Sequence, residues 1–575
     1  YEEPSAYTEN RLKEATDYAH YLATNVYATY GGNFLKKHNY KVTAGFNYET
    51  KYMKTNSAYG YNLLSETLND FNLIGEDSEG ERRMEIKGGQ NEYALAGYFG
   101  RINYDYDGKY LVEFSGRYDG SSRFSSKDRW GFFPSASVGW RLSEESFLSS
   151  ARSWLSNLKV RYSYGNLGNQ QVGYYDYLRT INIGTQSYLF GDKLPSSASI
   201  SAPVSSNLTW ETVEHHNIGL DASFFNNRLT FTGEAYIRNT KDMLTAGISL
   251  PATYGTSSPR MNSADMQTKG YELSLGWQDM FKLAGKPFSY QVNLTFNDYT
   301  SEITKFNNPE KAFAKGYYEG MRIGEIWGYH IDGLFATDEE AASYEVDQRR
   351  VNDIINSSSG ALKGLHAGDL RFADLDGDNI ISTGENTVDN PGDRRIIGNS
   401  EPRYQYGANL AFQWYGFDFS VFFQGIGRMD WYPAHEAELF WGPFNRAYAT
   451  FLPKNFLEQC WSEENPNAYF PRPRAYVAYD NMGDQCRELT AKNDRYLQNI
   501  GYCRLKNLTV GYTLPKNWTR KAGIDMLRVY FSGENLACWS GIKTDYVDPE
   551  QARRGGDLKV YPWQKTFTFG INVNF

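Results

Sequence analysis

The stretch KTFTFGINVNF, residues 565–575, alternates strictly between apolar and polar residues. Successive side chains of a β-strand point to opposite faces, so this segment predicts a strand with one apolar and one polar face. In a soluble sandwich the apolar face would pack against a second sheet. In an outer-membrane barrel it would face lipid, and the polar face would line a watery lumen. If the strand belongs to such a barrel, the side chains that face lipid are those of Phe567, Phe569, Ile571, Val573 and Phe575. The side chains that face the lumen are those of Thr568, Asn572 and Asn574.

The composition excludes membrane-spanning helices but is compatible with a membrane barrel. The mean hydropathy of the 575 residues is −0.61, and no run of 18 or more apolar residues occurs. A barrel strand needs only about 10 alternating residues, half of them polar. The aromatic share is high, at 16%. Such a share suits strands that carry aromatic girdles at the membrane interfaces.

The same alternation recurs along the whole chain. YKVTAGFNYET (40–50) and FSYQVNLTFN (288–297) alternate, and YQYGANLAFQWYGFDFSVFFQG (404–425) reads as a hairpin that turns at Tyr415–Gly416. Further strands are predicted at about 18–31, 93–106, 109–119, 134–142, 158–165, 215–224, 228–238, 269–277, 502–514 and 527–536. The fold class is therefore all-β, a transmembrane antiparallel β-barrel of about fifteen strands.

The connections between these strands alternate between short and long. Outer-membrane barrels have short periplasmic turns and long extracellular loops, whereas a soluble sandwich has no reason for this alternation. We therefore expect residues 1–575 to be part of a single barrel domain with a periplasmic C-terminus. The loops predicted to be extracellular are 53–90, 120–133, 166–214, 239–268, 299–402, 426–501 and 537–564.

The direction of the strands has a consequence for their number. The first and the last strand both run towards the periplasm, which requires an odd count. Bacterial single-chain barrels have an even number of strands and no open edge. We therefore expect an odd number of strands to precede this chain in the intact protein.

Several stretches resemble one family. They include YFGRINYDYDGKYLVEFSGRYDGSSRF (98–124), GDLRFADLDGDNIIS (368–382) and GNSEPRYQYGANLAFQWYGFDFSVFFQG (398–425). From about residue 90 to Phe575 the chain resembles the SusC-like TonB-dependent transporters of Bacteroidota. The resemblance implies a 22-stranded barrel, of which this chain would form the last fifteen strands. It also implies an N-terminal plug and a TonB box, which we expect in the part that precedes this chain.

The resemblance implies a function and partners. Members of that family import oligomers, mostly glycans and sometimes peptides, and work with a SusD-like surface lipoprotein as a lid. We expect outer-membrane active import, with glycan favoured over peptide by the family's habits and the loop aromatics. The alternative is a passive porin or structural barrel. Expected partners are the SusD-like lipoprotein, the TonB complex, the oligomer and outer-membrane lipid.

One acidic string has the spacing of a calcium loop. DLDGDNIISTGE (374–385) resembles an EF-hand loop, in which oxygen ligands stand at fixed positions and three close carboxylates need a cation. Asn379 stands where glycine normally makes the sharp turn, although Asn tolerates positive φ better than most residues. The alternative is an ordinary acidic turn in a long loop. The predicted ligands of a calcium ion, or of another hard cation, are Asp374, Asp376, Asp378, Ile380, Ser382 and Glu385.

Loop aromatics form the second candidate site. Aromatic faces stack on sugar rings, and a nearby carboxylate can hold hydroxyl groups. The alternative is that these residues form the small core that a long ordered loop needs. The candidates for ligand binding are Trp327, Tyr329, Asp430, Trp431, Tyr432 and Trp441.

Other functional classes find little support. The net charge of −9 leaves no basic stripe for nucleic acid. No nucleophile elbow or phosphate loop occurs, and no carboxylate pair is singled out for acid–base work, so we expect no catalysis. Cys460, Cys486, Cys503 and Cys538 lack the spacing of a zinc site, which leaves free thiols or one local disulfide.

Overall fold

The computed structural model describes most of the chain. The residues outside the description are 1–9, 66, 77–79, 192–193, 206–207, 248–252, 254–257, 353–363, 436, 446–449, 451, 475–476, 479–486, 555–559 and 562. Strands dominate the described residues, and helices are few and short. None of the helices in the described part is long and apolar enough to span a membrane.

The described residues form one large sheet of 15 strands. Each strand lies beside the next one in chain order, and the pairs whose register is known are antiparallel. This number agrees with the count from the sequence. The all-β fold class is confirmed. The strands are Arg11–Phe34, His38–Tyr61, Met84–Tyr106, Tyr110–Ser121, Trp130–Arg141, Leu155–Asn169, Glu211–Phe224, Leu229–Ala246, Arg260–Leu283, Lys286–Lys305, Arg403–Trp414, Phe417–Arg428, Tyr502–Thr513, Met526–Ser540 and Thr566–Asn574.

Smaller elements lie in the connections. Within the described residues, four short antiparallel pairs accompany the main sheet: Ile181–Thr185 with Ser196–Ile200, Glu325–Tyr329 with Arg394–Asn399, Ile331–Leu334 with Leu370–Phe372, and Asp430–Trp431 with Gln498–Asn499. The α-helices in the described part of the chain are Asp338–Ser343, Glu438–Trp441 and Lys516–Thr519. The 3₁₀-helices are Phe71–Leu73, Leu142–Glu144, Ser146–Ser153, Phe313–Lys315, Gly442–Phe444, Leu457–Gln459 and Arg520–Ala522.

The strands are longer than predicted, so several loops are shorter. The connection expected at 53–90 spans only 62–83, and the one expected at 239–268 spans 247–259. The alternation of short and long connections is also not strict, because 122–129 is shorter than 142–154, which holds two 3₁₀-helices. The strands continue past the alternating apolar band with polar residues on both faces, and such extensions carry no period-2 signal.

The hairpin predicted in residues 404–425 is confirmed. Trp414 pairs with Phe417, and the two turn residues, Tyr415 and Gly416, have φ values of 49° and 88°. Positive φ at both central residues is typical of a type I′ turn, whose twist matches that of the flanking strands. The connection between Leu283 and Lys286 uses the same geometry at Ala284–Gly285.

The chain divides into two compact units. The first comprises 1–139, 163–215 and 240–264, and the second comprises 140–162, 216–239 and 265–575. The sequence suggested a single domain, and the fifteen strands do share one sheet. In the first unit a small core forms around Trp210, which lies 5.2 Å from both Phe124 and Phe133 between ring centroids.

The faces of the sheet in the first unit separate as the alternation predicts. Ile102 pairs with Phe114, and their side chains are 51% and 58% exposed. On the opposite face Arg117 donates to both oxygens of Asp119, at 2.9 and 2.8 Å, and Asp119 is buried. One face is therefore apolar and uncovered, and the other is polar and bonded.

In the second unit the terminal strand keeps the predicted partition. Phe569 is opposite Phe531, with ring centroids 5.3 Å apart, and Ile571 is opposite Val529. On the other face Thr568 is opposite Ser532. Apolar residues thus continue the apolar face of the neighbouring strand, and their contact with lipid stays a prediction.

Candidate functional site

The long connections 306–402 and 429–501 fold around a shared hydrophobic core in the second unit, to which Val547 and Ala552 of the connection 541–565 also contribute. Trp441, Phe444, Phe372, Leu370 and Tyr496 are all completely buried there. We call this cluster the loop core. A segment of this length needs such a core to offset the entropy of its ordering. Of the predicted ligand-binding residues, Tyr329 and Trp441 belong to the loop core, and Trp431 and Tyr432 pack against it.

Two of the predicted ligand-binding aromatics belong to the loop core. Trp441 has no exposed surface, and its indole N–H donates to the Ala434 carbonyl at 2.9 Å. Tyr329 is 5% exposed and packs edge-on against Phe372, with ring centroids 5.7 Å apart. Their ring faces are covered by protein. The packing role, which the sequence left open as the alternative, accounts for both residues.

Three candidates keep part of their surface open. Trp431 and Tyr432 are half-buried against the loop core, and the Tyr432 hydroxyl donates to the Leu489 carbonyl at 2.8 Å. Trp327 is also half-buried and packs on Phe313, with ring centroids 4.8 Å apart. Their contact with a ligand stays a prediction.

Asp430 is buried and already bonded. Its carboxylate accepts from Arg428 at 3.1 Å and from the backbone N–H of Asn399 at 2.9 Å. It is 4% exposed. The Asp430 carboxylate therefore links the strand Asp430–Trp431 to the strand Arg394–Asn399. Because protein donors already occupy this carboxylate, it has little capacity left to hold a ligand hydroxyl.

A buried ionic cluster in the loop core escaped the sequence analysis. Arg474 donates to Asp369 at 2.8 Å, and Glu488 accepts from the Leu370 N–H at 2.6 Å. All three charged residues are buried. Burial and, to a smaller extent, the charge of the neighbouring Asp369 raise the pKa of Glu488 to about 8, against the opposing effects of the Leu370 N–H and Arg474. No local spacing links these residues, so a sequence pattern could not find them.

The acidic string forms a carboxylate cluster, but with a different membership. Oxygens of Asp374, Asp376 and Asp393 lie within 4.8 Å of one another. Calcium–oxygen bonds of about 2.3–2.6 Å allow ligands around one ion to be separated by up to about 5 Å. Asp393 stands beyond the twelve-residue loop and was not predicted. The donor set fits a hard cation.

The other predicted ligands lie around this cluster. Within the described residues, the carboxylates of Asp378 and Glu385 are not among the three that converge, and both residues are exposed. The Ile380 N–H donates to Asp378 at 2.7 Å, and the Ser382 N–H donates to Asp393 at 2.7 Å. Of the carboxylate ligands that the EF-hand spacing predicts, only Asp374 and Asp376 therefore belong to the observed cluster.

The turn that the loop needs is present. Asn379 has a φ of 62°, so it adopts the left-handed conformation expected of glycine at this position. Its N–H donates to Asp374 at 2.9 Å, and the N–H of Gly377 donates to the same carboxylate at 2.7 Å. Asparagine in place of glycine at this position therefore destabilises the turn only slightly.

The neighbouring carboxylates of the cluster perturb the pKa of Asp393. Burial raises the pKa of Asp393, and the charges of Asp376 and Asp374 raise it further, whereas N–H donation from Ser382 and Leu375 opposes the shift. Desolvation raises the pKa of Asp374, but the pKa ends below its usual range because backbone N–H groups and the Asp393 side chain donate hydrogen bonds to this carboxylate. A bound cation would relieve the repulsion between these carboxylates.

The polar face of the first unit holds a concavity of about 710 Å³. Arg101, Arg117 and Asp119 line it together with the rings of Tyr27 and Phe99. This is the face predicted to line the lumen. The sequence indicated the face but not the concavity.

The cysteines within the described residues form no disulfide framework. Cys460, Cys503 and Cys538 are free. Cys486 lies outside the described residues.

Comparison with known families gives one match that covers most of the chain. Residues 3–536 match the family described as "TonB dependent receptor-like, beta-barrel". The relatives include TonB-dependent receptor P3 of Formosa agariphila, 29% identical over 574 residues, which cover 96% of this chain and 52% of that protein. TonB-dependent receptor SusC of Bacteroides thetaiotaomicron is 28% identical over 493 residues, covering 84% of this chain and 44% of that one. The chain thus spans about half the length of the curated relatives it matches.

Solved structures with the same fold include the RagAB peptide importer in its open-open state. The TM-score is 0.74 at 22% identity, and the match covers 99% of this chain and 56% of that one. The structure of the RagAB peptide transporter gives a TM-score of 0.72 at 23% identity, with the same coverage of 99% and 56%. At this level of identity the likeness shows the fold.

Proposed function

Because this chain belongs to the TonB dependent receptor-like β-barrel family, we propose that it is the barrel portion of an outer-membrane active importer of oligomers of the SusC/SusD type. That family is one of outer-membrane transporters, not of enzymes. The observation that carries the proposal is the family match over residues 3–536 on a sheet whose strands have one apolar and one polar face. Such strands suit lipid on one side and a watery path on the other.

The proposal includes the orientation and the rest of the barrel. The fifteen strands are the last fifteen of 22, the long connections are extracellular and the C-terminus is periplasmic. A plug and a TonB box precede this chain in the intact protein and couple import to the TonB complex. The relatives' greater length leaves room for these parts.

The partner in this proposal is a SusD-like lipoprotein that closes over the long connections as a lid. Connections 306–402 and 429–501 are too long to be idle loops, and their ordered core supports a large recognition surface. The interface should bury well above the roughly 2,000 Å² of ordinary complexes. The oligomer would lie between the lid and the half-buried rings of Trp327, Trp431 and Tyr432. Glycan is favoured because aromatic faces stack on sugar rings, and peptide is the other class.

A structural calcium ion, or another hard cation, belongs to the proposal. Asp374, Asp376 and Asp393 would hold it and brace the longest connection. Its charge would offset the repulsion among three carboxylates. The predicted ligands Asp378, Ile380, Ser382 and Glu385 would contribute only by closing further around the ion.

The experiment is an uptake assay on the intact protein in its native membrane. The barrel should purify with a SusD-like lipoprotein without crosslinking, and labelled glycan oligomers should enter cells only with a functional TonB complex. A variant with a deleted TonB box is the control. Uptake without the lipoprotein and without TonB would instead indicate a passive porin. Uptake of peptides but not of glycans would change the substrate class alone.

A further inference from the structure

One face of the first three strands of the sheet carries cations and tyrosine rings side by side, near the residue at which the second strand ends. Arg11 is directly opposite Tyr61, and Lys13 is directly opposite Tyr59. On its other side Tyr59 is directly opposite Glu85. Directly opposite residues of antiparallel strands share a face, so these side chains lie together. We call the set the basic patch, which consists of Arg11, Lys13, Tyr59, Tyr61, Arg83, Glu85 and Lys87.

The cations of the basic patch lie against the two rings. The Nζ atoms of Lys13 and Lys87 are 5.5 and 4.9 Å from the centre of the Tyr59 ring. The guanidinium of Arg83 lies 4.4 Å from the centre of the Tyr61 ring. The negative face of an aromatic ring attracts a cation at such distances. The rings therefore hold the cations in place while the charges stay open to solvent.

The basic patch has an excess of positive charge. Arg11, Lys13, Arg83 and Lys87 are all exposed, and the carboxylate among them is that of Glu85, which pairs with Lys87 at 2.9 Å. Four cations thus stand against one carboxylate, in a chain whose net charge is −9. A local surplus of cations attracts anionic ligands and raises their concentration at the surface.

The opposite face of the same rows is built differently. The Cβ of a residue at position 60 would point to that face and overlap the side chain of Ile74, which is completely buried there. The connection that follows the second strand therefore packs on this face, and none of its described residues in these rows is a cation. They are Leu12, Glu14, Ala58, Gly60, Met84 and Ile86.

The basic patch shares its face with the concavity of about 710 Å³ in the first unit. The first four strands pair in a continuous register, which places Asp119, a lining residue of the concavity, on the face of the patch. Between the patch and the concavity, Lys51 is directly opposite both Tyr21 and Tyr93. Rings and cations therefore recur along one polar face, as the repeating units of a chain-like ligand require.

We propose that the basic patch binds acidic oligosaccharide, whose sugars carry carboxylate or sulfate groups, an inference that rests on the proposed function and narrows its substrate class. The exposed cations of Lys and Arg pair with such anionic groups. Tyr21 and Tyr27, further along the same face, are 55% and 67% exposed and can stack on the sugar rings. A neutral oligomer would offer no partner to the four cations.

The position of the basic patch separates a soluble oligomer from a lipid headgroup. The uncovered apolar side chains of Ile102 and Phe114, proposed to meet lipid, lie on the opposite face of the sheet. Cations that hold lipid phosphates would have to lie on that apolar face, close to the bilayer surface. The cations of the patch lie on the polar face instead, where a watery path is proposed.

The test measures binding of oligomers to the intact protein, purified from native membrane, by isothermal titration. The probes form two matched pairs: an oligogalacturonide with its carboxyl-reduced counterpart, and a sulfated galactan oligomer with its desulfated counterpart. In at least one pair the acidic member should bind about 10-fold or more tightly than the neutral one. Its affinity should fall as the salt concentration rises, because exposed charges are screened. Equal affinities, or no binding, in both pairs would overturn the inference.

Two charge reversals test the site itself. Lys13 and Lys54 are both exposed, but Lys54 is opposite Tyr18 and lies on the other face. Lys13→Glu should weaken binding of the acidic oligomer about 5-fold or more, because repulsion replaces attraction, and should change that of the neutral counterpart less than about 2-fold. Lys54→Glu, the matched control, should change both affinities less than about 2-fold.

Folding and the source of the anion are checked with the same variants. The heat-modifiable mobility of each should equal that of the wild type, and the milder Lys13→Gln should weaken acidic-oligomer binding in the same direction. A loss of copurifying lipopolysaccharide in Lys13→Glu, with unchanged oligomer affinity, would assign the patch to a lipid headgroup and overturn the inference. So would an acidic peptide that binds more tightly than every oligomer and loses affinity in Lys13→Glu.

The two proposals fail in different ways. Import of the oligomer without a functional TonB complex would contradict the proposed function, whatever the affinities are. If import depends on TonB, but Lys13→Glu and Lys54→Glu bind the acidic oligomer alike, only the acidic-oligosaccharide site is wrong.

Discussion

Trp441 lies inside the loop core with no exposed surface, and its indole N–H donates to Ala434. Trp441→Ala should lower the free energy of local unfolding of the loop core by about 3–5 kcal/mol, because a large buried ring is lost and leaves a cavity. Hydrogen exchange of the helix Glu438–Trp441 measures this loss. The control is Trp431→Ala, which should cost less stability and more ligand affinity. The reverse result would place Trp441 in the binding site.

Glu488 should make the loop core sensitive to pH. Burial raises its pKa from 4.5 to about 8, so the folded state binds a proton that the unfolded chain releases. Its contribution to stability is fully present below pH 4.5 and is lost as the pH rises through about 8. Glu488→Gln should flatten the fall in stability between pH 5.5 and 8.5, measured by hydrogen exchange. An unchanged pH profile would mean that Glu488 is already ionised at neutral pH.

The terminal strand tests lipid contact at the scale of one element. Val573→Arg should cost up to about 2–4 kcal/mol of barrel stability if the site lies near the bilayer midplane, and less near the interface. Urea unfolding in vesicles measures this cost. Thr568→Arg places the same charge on the polar face and should cost less. Equal costs would mean that the two faces meet the same environment. Deletion of Phe575 should also reduce insertion into the membrane.

The acidic loop tests the cation proposal. Calcium titration of the intact protein should show that Asp374→Asn and Asp393→Asn each weaken affinity about 10-fold or more, because a charged ligand is lost. The exposed Asp389, in the same connection, provides the control variant Asp389→Asn. The affinity for calcium should fall as the pH is lowered. The fall should begin at a pH above the range in which carboxyl groups usually titrate, because the pKa of Asp393 is raised. Affinity unaffected by Asp393→Asn but lost in Glu385→Gln would restore the EF-hand ligand set.

The elements that the sequence predicted are those with a local signal. Period-2 alternation identified the faces of Thr566–Asn574, and its interruption at Tyr415–Gly416 predicted the turn there. Asp393 and the trio Asp369, Arg474 and Glu488 were missed because only tertiary folding brings them to their partners. The sequence could not separate the loop aromatics that bind a ligand from those that pack in a core, because both roles use the same large aromatic side chains.

At the scale of the whole molecule, the two outer edges of the sheet test the proposed barrel. In the described sheet Arg11–Phe34 pairs with His38–Tyr61, and Thr566–Asn574 pairs with Met526–Ser540, each on one side. An unpaired edge in a membrane leaves N–H and C=O groups without partners, each at a cost of several kcal/mol. In the proposed 22-stranded barrel, each of these two edge strands would have a second neighbour.

Hydrogen exchange of the intact protein tests this closure. Alternate N–H groups of Arg11–Phe34 and of Thr566–Asn574 point away from their described neighbours. In the intact barrel these amides should be as strongly protected as those of a strand with two neighbours, such as Tyr110–Ser121. When residues 1–575 are expressed alone, the same amides should exchange faster, while those of Tyr110–Ser121 keep their protection. Rapid exchange at both edges in the intact protein would mean that the sheet does not close, and the transporter proposal would lose its barrel.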